Sequence, residues 1–258
     1  LELTGHSEPL LVRFGGKSGG GENNKDIEED LGHMVRHRYT VANHGPWAVN
    51  NVVVKFLWPS QITNPRGGAG KWALYLMDTP TIRSMKVDGS PDEVKKCLVD
   101  DAVDNVNPKD YSRNSKYDET SEEEELGRIK RETGDQPRDG VVTADLLGKR
   151  LTLHAPSADR IAPEERDEGG QTISVSTISC STGTARCFSV TCSIDFIEAG
   201  AAPVIVFRSR LWNDTFVEDY YDLEYVELQS FGAIEVDDQG IVDDPANNQA
   251  VVTTLAYP

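Results

Sequence analysis

Apolar and polar residues alternate with a period of two over much of the chain, the pattern of strands that bury one face. Met34 to Val41 alternates loosely, Asn43-His44-Gly45-Pro46 turns the chain, and Val52 to Trp58 forms a second run that ends at Pro59. Further β-branched or aromatic runs occupy Trp72 to Met77, Thr172 to Ser179, Phe188 to Phe196, Val204 to Trp212, Leu223 to Val236 and Ala250 to Tyr257. Nearly every run is bounded by Gly, Pro, Asn or Asp. A 3.6-residue apolar period is sustained nowhere for long; Glu93 to Val99 is the best helical candidate and it is short. Many short strands with turn residues between them predict an all-β fold, an antiparallel β-sandwich occupying residues 1–258 as one domain.

Three stretches interrupt the pattern. Gly15 to Asp30, opening on a glycine-rich run, reads as a flexible surface loop, and Pro156 to Gly170 reads as another. Residues 98–140 carry Asp100-Asp101, Asp118-Glu119 and the run Glu122 to Glu125 with few apolar side chains. Such a segment buries too little surface to offset its ordering entropy, so a long disordered acidic loop is expected there.

The chain has 258 residues, enough for a proper core, and a formal net charge of −17. That charge argues against nucleic acid and anionic lipid as partners, since both would repel it. No run of about 18 apolar residues is present, so direct membrane insertion is not expected. The start lacks a basic region followed by an apolar one, so a secreted or membrane-attached protein would contain this chain as a mature internal fragment.

Within the acidic stretch lies Arg128-Ile129-Lys130-Arg131, followed by Glu132. Subtilisin-like proprotein convertases read Arg-x-Lys/Arg-Arg in an extended, unfolded segment, and the flanks supply that. Four cysteines, Cys97, Cys180, Cys187 and Cys192, suggest two disulfides and an oxidising compartment, with three pairings open. Cys180 and Cys187 flank a turn-rich hexapeptide at hairpin spacing. A bond closing so short a loop is worth about 2–3 kcal/mol in the chain-entropy model, whereas Cys97–Cys192 would approach about 4.7 kcal/mol and would survive cleavage as a tether. The spacings do not fit a zinc site.

Catalytic motifs fail on context. Gly16-Lys17-Ser18-Gly19-Gly20 formally fits a nucleophile elbow, but no helix follows it, and the glycine that a phosphate loop needs is Leu11. His33 and His37 have zinc spacing only on a helix, and their segment reads as a strand. The acidic pairs lack calcium-loop spacing, so no cofactor is expected. Asn213-Asp214-Thr215 is the only glycosylation sequon and would be an exposed acceptor at Asn213 in a secretory protein. A secreted hydrolase proenzyme activated at Arg131 would need carboxylates or a nucleophile held by strands, whereas the acids cluster in loops. A freestanding calcium-dependent adhesion domain is the other alternative.

Over nearly its whole length the sequence resembles the membrane-proximal second calf domain (calf-2) of integrin alpha subunits. The resemblance runs from Ile27-Glu28-Glu29-Asp30-Leu31-Gly32 and His37 to Val41, through Asn43-His44-Gly45-Pro46, Trp58-Pro59, Trp72 to Tyr75, Cys97 and Arg128 to Arg131. Cys180, Cys187 and Cys192, followed by Val204 to Trp212 and Thr215-Phe216, carry it furthest, and Val251 to Pro258 looks like the family's final strand. It implies an immunoglobulin-like two-sheet sandwich, a local Cys180–Cys187 bond, a Cys97–Cys192 bond between heavy and light chains, and cleavage between Arg131 and Glu132. It also implies a non-enzymatic leg module in the extracellular part of a single-pass cell-surface adhesion receptor. Its partners would be the preceding leg domain and the leg of an integrin beta subunit. The long acidic linker and the Gly67-Gly68-Ala69-Gly70 loop depart from the family pattern.

Overall fold

The alternation at Met34–Ala42 has a direct structural cause: Val35, His37, Tyr39 and Val41 all point inward and are fully buried in one strand. A computed structural model describes residues 1–15, 25–64, 67–84, 94–113, 160–236 and 247–258. Its strands are β1 (Glu2–Glu8), β2 (Leu11–Arg13), β3 (Met34–Ala42), β4 (Val49–Ile62), β5 (Leu74–Leu76), β6 (Thr81–Arg83) and β7 (Lys95–Lys96). There follow β8 (Leu98–Val99), β9 (Glu164–Glu168), β10 (Gln171–Ser179), β11 (Ala185–Ile197), β12 (Val204–Leu211), β13 (Tyr225–Val236) and β14 (Gln249–Tyr257). Two short helices, α1 (Ala102–Asn105) and α2 (Asn213–Asp219), and a 3-10 turn at Glu28–Leu31 complete the described elements.

The strands form two sheets. One has the order β1-β3-β12-β6-β7, with β5 also on β12; the other runs β2-β14-β13-β4-β11-β8, with β10 on β13 and β9 outside it. The pairings are antiparallel except β10 with β13 and β14 with β2, which are parallel. The sandwich core lies between the layers. Trp58 of β4 stacks on Phe207 of β12 with ring centroids 5.0 Å apart, and Phe56 and Tyr39 close the same cluster. The indole N–H of Trp58 donates to the Leu74 carbonyl at 3.0 Å, so the largest buried ring leaves no donor unpaired.

Several boundaries differ from expectation. β4 runs on past Pro59 to Ile62: its pairing with β13 ends at Leu57, and beyond the proline Ser60 and Ile62 bond instead to Ala73 and Lys71. On its other side, Pro59 sits opposite Cys187 at a bulge. Glu93 to Val99 is not helical where described; Lys95–Lys96 and Leu98–Val99 are strand segments in different sheets. β1 has no clean alternation and went unpredicted. It lies at a sheet edge, and a Cβ on its Gly5 would come within 2.4 Å of the Val252 side chain. Only glycine lets the first strand approach the last this closely.

The loop expectations also shift. Residues 98–113 are not disordered: β8 pairs with β11, α1 follows, and Tyr111 is buried, so apolar contacts and strand pairing outweigh the acidic composition. At the end of the stretch Gly15 to Asp30, Lys25 and Glu28 are buried and ion-paired. Part of Pro156 to Gly170 is strand β9, whose charged side chains face solvent along an edge.

A buried polar chain crosses between the sheets. The Ser7 hydroxyl donates to the Pro9 carbonyl at 2.8 Å, which leaves its oxygen as acceptor for Thr254 at 2.6 Å. Thr254 accepts from Nε2 of His37 at 2.8 Å, Nδ1 of His37 accepts from Ser230 at 2.5 Å, and Ser230 accepts from the Tyr39 hydroxyl at 2.6 Å. The donor count makes His37 the neutral Nε2–H tautomer with both nitrogens satisfied. His37 therefore has a structural role. Burial pushes its pKa down to about 3, and burial also raises that of Tyr39.

Because the folded pKa of His37 lies below its unfolded value of about 6.5, its contribution is fully present above that value and falls away as the pH drops towards 3. Linkage predicts that this one group costs about 2 kcal/mol between pH 7 and pH 5, a range in which most carboxylates stay ionised. Urea denaturation at the two pH values checks this. His37→Gln should be less stable at neutral pH yet lose less on acidification; an unchanged pH slope in the variant would contradict the assignment.

Candidate functional site

The described residues with the strongest chemical signals are those of the two disulfides and of the ion pairs at the borders of the segment 114–159. Arg128, Ile129, Lys130, Arg131 and Glu132 lie outside the described residues, whereas both flanks and all four cysteines lie within them.

Cys97 occupies the crossing between layers. Lys96 before it pairs with β6 in one sheet, Leu98 after it pairs with β11 in the other, and its N–H donates to the Pro80 carbonyl at 2.8 Å. β8 is held beside β11 by Val190–Val99 and Thr191–Leu98, which brings Cys97 against the next residue, Cys192, with Cα atoms 4.4 Å apart in a disulfide. Both cysteines are buried. The second bond, Cys180–Cys187, closes the turn between β10 and β11.

Beyond β8 the chain folds back over the outer face of the other sheet. Asn107 is the pivot. Its N–H donates to the Leu76 carbonyl, and its carboxamide spans the local turn by accepting from the Tyr111 N–H at 3.0 Å and donating to the Tyr111 carbonyl at 3.0 Å. This seats Tyr111 among Trp72, Tyr75 and Trp212, a second aromatic cluster outside the sandwich.

Next to that cluster, Glu28 is 2% exposed among three arginines. Arg208 and Arg210 reach it because alternate residues of β12 share the outer face; Arg208 makes a short contact to Glu28 Oε1, and Arg210 approaches it at 3.2 Å. Arg113 stands 3.8 Å from Glu28 and 3.2 Å from Asp78, which also accepts from Arg208 at 3.0 Å. Burial raises the Glu28 pKa, but Arg208 and Arg210 outweigh it and the net shift is downward. Ile27 and Ser112 form a bridge alongside. The near border thus ends in an ion-paired clasp.

The far border is anchored separately. The Arg160 guanidinium grips the Asp222 carboxylate with two bonds, at 2.5 and 3.0 Å, and donates to the Asp219 carbonyl at 2.8 Å. The Ile161 N–H donates to the Tyr220 hydroxyl, whose pKa burial pushes up to about 12. Asn213 is half-buried at the start of α2, with its carboxamide bonded both ways to the Gly15 backbone at 3.1 and 3.2 Å, and Thr215 is buried. It is therefore less open than the exposed acceptor expected of a sequon. The neighbouring Asp214 forms a buried ion pair with Lys25 at 3.2 Å, and Lys25 also lies over the Trp212 ring.

The two halves of the chain interleave in both sheets. β12, from the second half, lies between β3 and β6 of the first, while β4, from the first half, lies between β13 and β11 of the second. A family model described as integrin alpha Ig-like domain 3 matches residues 1–258. The chain belongs to the integrin alpha family. It is 42% identical over 261 residues to integrin alpha ina-1 of Caenorhabditis elegans, covering all of this chain and 23% of that protein. It is 25% identical over 260 residues to integrin alpha-6 of Gallus gallus, again covering the whole chain and 19% of the relative. With Homo sapiens integrin alpha-6 the identity is 25% over 238 residues, covering 92% of this chain and 16% of that protein. The integrin domain thus spans about a fifth of the length of these relatives, and among its described residues no helix is long and apolar enough to cross a membrane.

Sequence reading missed the clasp. Glu28 looks like any residue of the acidic Glu28-Glu29-Asp30, and only the alternation that puts Arg208 and Arg210 on one face of β12 hinted at a buried acidic partner. Neutralising Glu28 strands buried guanidinium groups, a class of change that costs about 3–5 kcal/mol when complete and less here because Arg113 reaches solvent. Glu28→Gln should therefore lower stability by about 2–3 kcal/mol in chemical denaturation, against less than about 0.5 kcal/mol for the exposed Glu165→Gln. Equal effects of the two substitutions would contradict the clasp.

Proposed function

We propose that this integrin domain is the calf-2 leg module of an alpha subunit, cut after Arg131 into two parts that remain one folded unit. The observation that carries the reading is the family match over residues 1–258. The module would connect the ligand-binding head of a cell-surface adhesion receptor to its membrane span, packing against the preceding leg domain and beside a beta-subunit leg. Its role is structural and not catalytic.

The geometry supports processing without collapse. Arg113 and Arg160 hold the borders of the segment 114–159 on separate ion pairs, so a cut at Arg131 removes none of the described contacts. Once cut, the parts share strand pairings in both sheets and a single covalent bond among the described residues, Cys97–Cys192, because Cys180–Cys187 lies within one part. An extracellular location suits both disulfides, and Asn213 is proposed as a glycan acceptor modified before α2 packs. The interfaces with neighbouring domains would be polar enough to separate reversibly during receptor rearrangement.

The test is paired reducing and non-reducing denaturing gels of protein secreted from convertase-containing cells, with mass spectrometry of fragment ends. Two fragments that appear only on reduction, the second beginning at Glu132, are expected. In Cys192→Ser the fragments should separate without reductant, while in Cys180→Ser they should stay linked. An uncut band in every lane would overturn the processing, and a covalently joined Cys192→Ser after confirmed cleavage would overturn the tether.

A further inference from the structure

The first and last strands of the domain run side by side in the same direction. Leu3 of β1 donates its N–H to the Asn247 carbonyl just ahead of β14, Gly5 packs against Val252, and Ser7 bonds to Thr254. Residue number rises along both strands together, so the chain enters at one end of this pair and leaves at the other. Tension applied between residues 1 and 258 draws β1 back along its own axis and β14 forward along its own.

That loading is shear. The ladder bonds of β1 to β3 and of β14 to β13 lie across the strands, perpendicular to such a pull, and are strained together instead of one after another. Neither disulfide holds β1 or β14, since the bonds join Cys97 to Cys192 and Cys180 to Cys187. Resistance at the two strands is therefore non-covalent: backbone bonds join Leu3 to Asn247 and run along the parallel β2–β14 pairing that follows β1, and one chain of side-chain hydrogen bonds spans the buried contact between the sheets. The hydrogen bonds Ser7–Thr254, Thr254–His37, His37–Ser230 and Ser230–Tyr39 step alternately between the sheets and tie β1 to β14, β14 to β3 and β3 to β13. The Tyr39 hydroxyl also meets the Val252 backbone on β14. Thr254 and His37 are 0% exposed, so any sliding of the strands strips these groups of partners in an environment that offers no replacement.

We propose that the domain is a tension-bearing link whose mechanical strength is set by the Ser7–Thr254–His37–Ser230–Tyr39 hydrogen-bond chain between its entry and exit strands. A purely stabilising network would matter equally at equilibrium and under any geometry of unfolding. A clamp at the β1–β14 contact matters most when the chain is pulled by its ends. The inference goes beyond the placement of the domain within a receptor, and it does not depend on cleavage at Arg131.

The test is single-molecule pulling of the uncut, oxidised domain through handles at residues 1 and 258. Thr254→Val removes the central hydroxyl with little change of shape, Thr254→Ser retains it, and Val190→Ala weakens the core on β11 away from the entry and exit strands. Loss of the central hydrogen bonds should raise the unfolding rate at fixed force by about tenfold or more in Thr254→Val. Thr254→Ser should stay near the parent, and Val190→Ala should change the rate by less than about threefold despite a comparable loss of equilibrium stability. If Thr254→Val is not secreted folded, Ser7→Ala reads the same junction. A forced unfolding rate that simply follows equilibrium stability across all variants, or one that is unmoved by loss of the hydroxyl, overturns the proposal.

Discussion

The structure depends on one topological constraint: neither half of the chain forms a complete sheet. β12 needs β3 on one side and β6 on the other, and β4 needs β13 and β11. Each of these central strands is buried between partners from the opposite side of the segment 114–159, so its backbone groups and its inward side chains are satisfied only when both halves are present. This explains how a long acidic insertion is tolerated in the middle of the domain. The residues that border it, Arg113 and Arg160, are ion-paired outside the core, and the pairings that define the core are made by strands on either side of it.

Around that constraint the polar residues divide the work. The Ser7–Thr254–His37–Ser230–Tyr39 chain is closed and fully satisfied, so it specifies how the sheets register without leaving a stranded donor. Glu28 with its arginines and Arg160 with Asp222 act outside the core, fixing where the chain departs and returns. Cys97 sits at the crossing between the layers and ties the near border to β11 of the other sheet. The rigidity of the domain comes from within, while charged side chains stay on its outer surface.

Much of this was legible in the sequence where a period of two met strand-forming residues. Val35, His37, Tyr39 and Val41, or Val52, Val54, Phe56 and Trp58, announce an inward face without any structure. The failures have physical causes. β1 is an edge strand whose Gly5 is required by close approach and whose polar Ser7 belongs to a buried chain, so it lacks the expected apolar alternation. Glu93 to Val99 is only a short helical candidate in the sequence, and its two strands were missed because such short strands in different sheets leave no periodicity to read. Residues 98–113 looked disordered because their anchors are single residues, Cys97, Asn107 and Tyr111, whose partners are distant in sequence. The same limit hid Glu28 and Arg160, since an ion pair between remote elements leaves no local mark. The parallel pairings of β10 with β13 and of β2 with β14 are likewise set by long connections and not by local pattern.

The most direct test of the interleaved account is the mass in solution of the domain after cleavage between residues 113 and 160 and gentle reduction without denaturant. If strand pairings across the halves hold the module together, the cut and reduced protein stays a single species of the full mass with its β-sheet circular dichroism intact. Separation into two fragments on reduction alone would contradict the account and would leave the Cys97–Cys192 bond as the only thing holding the halves together.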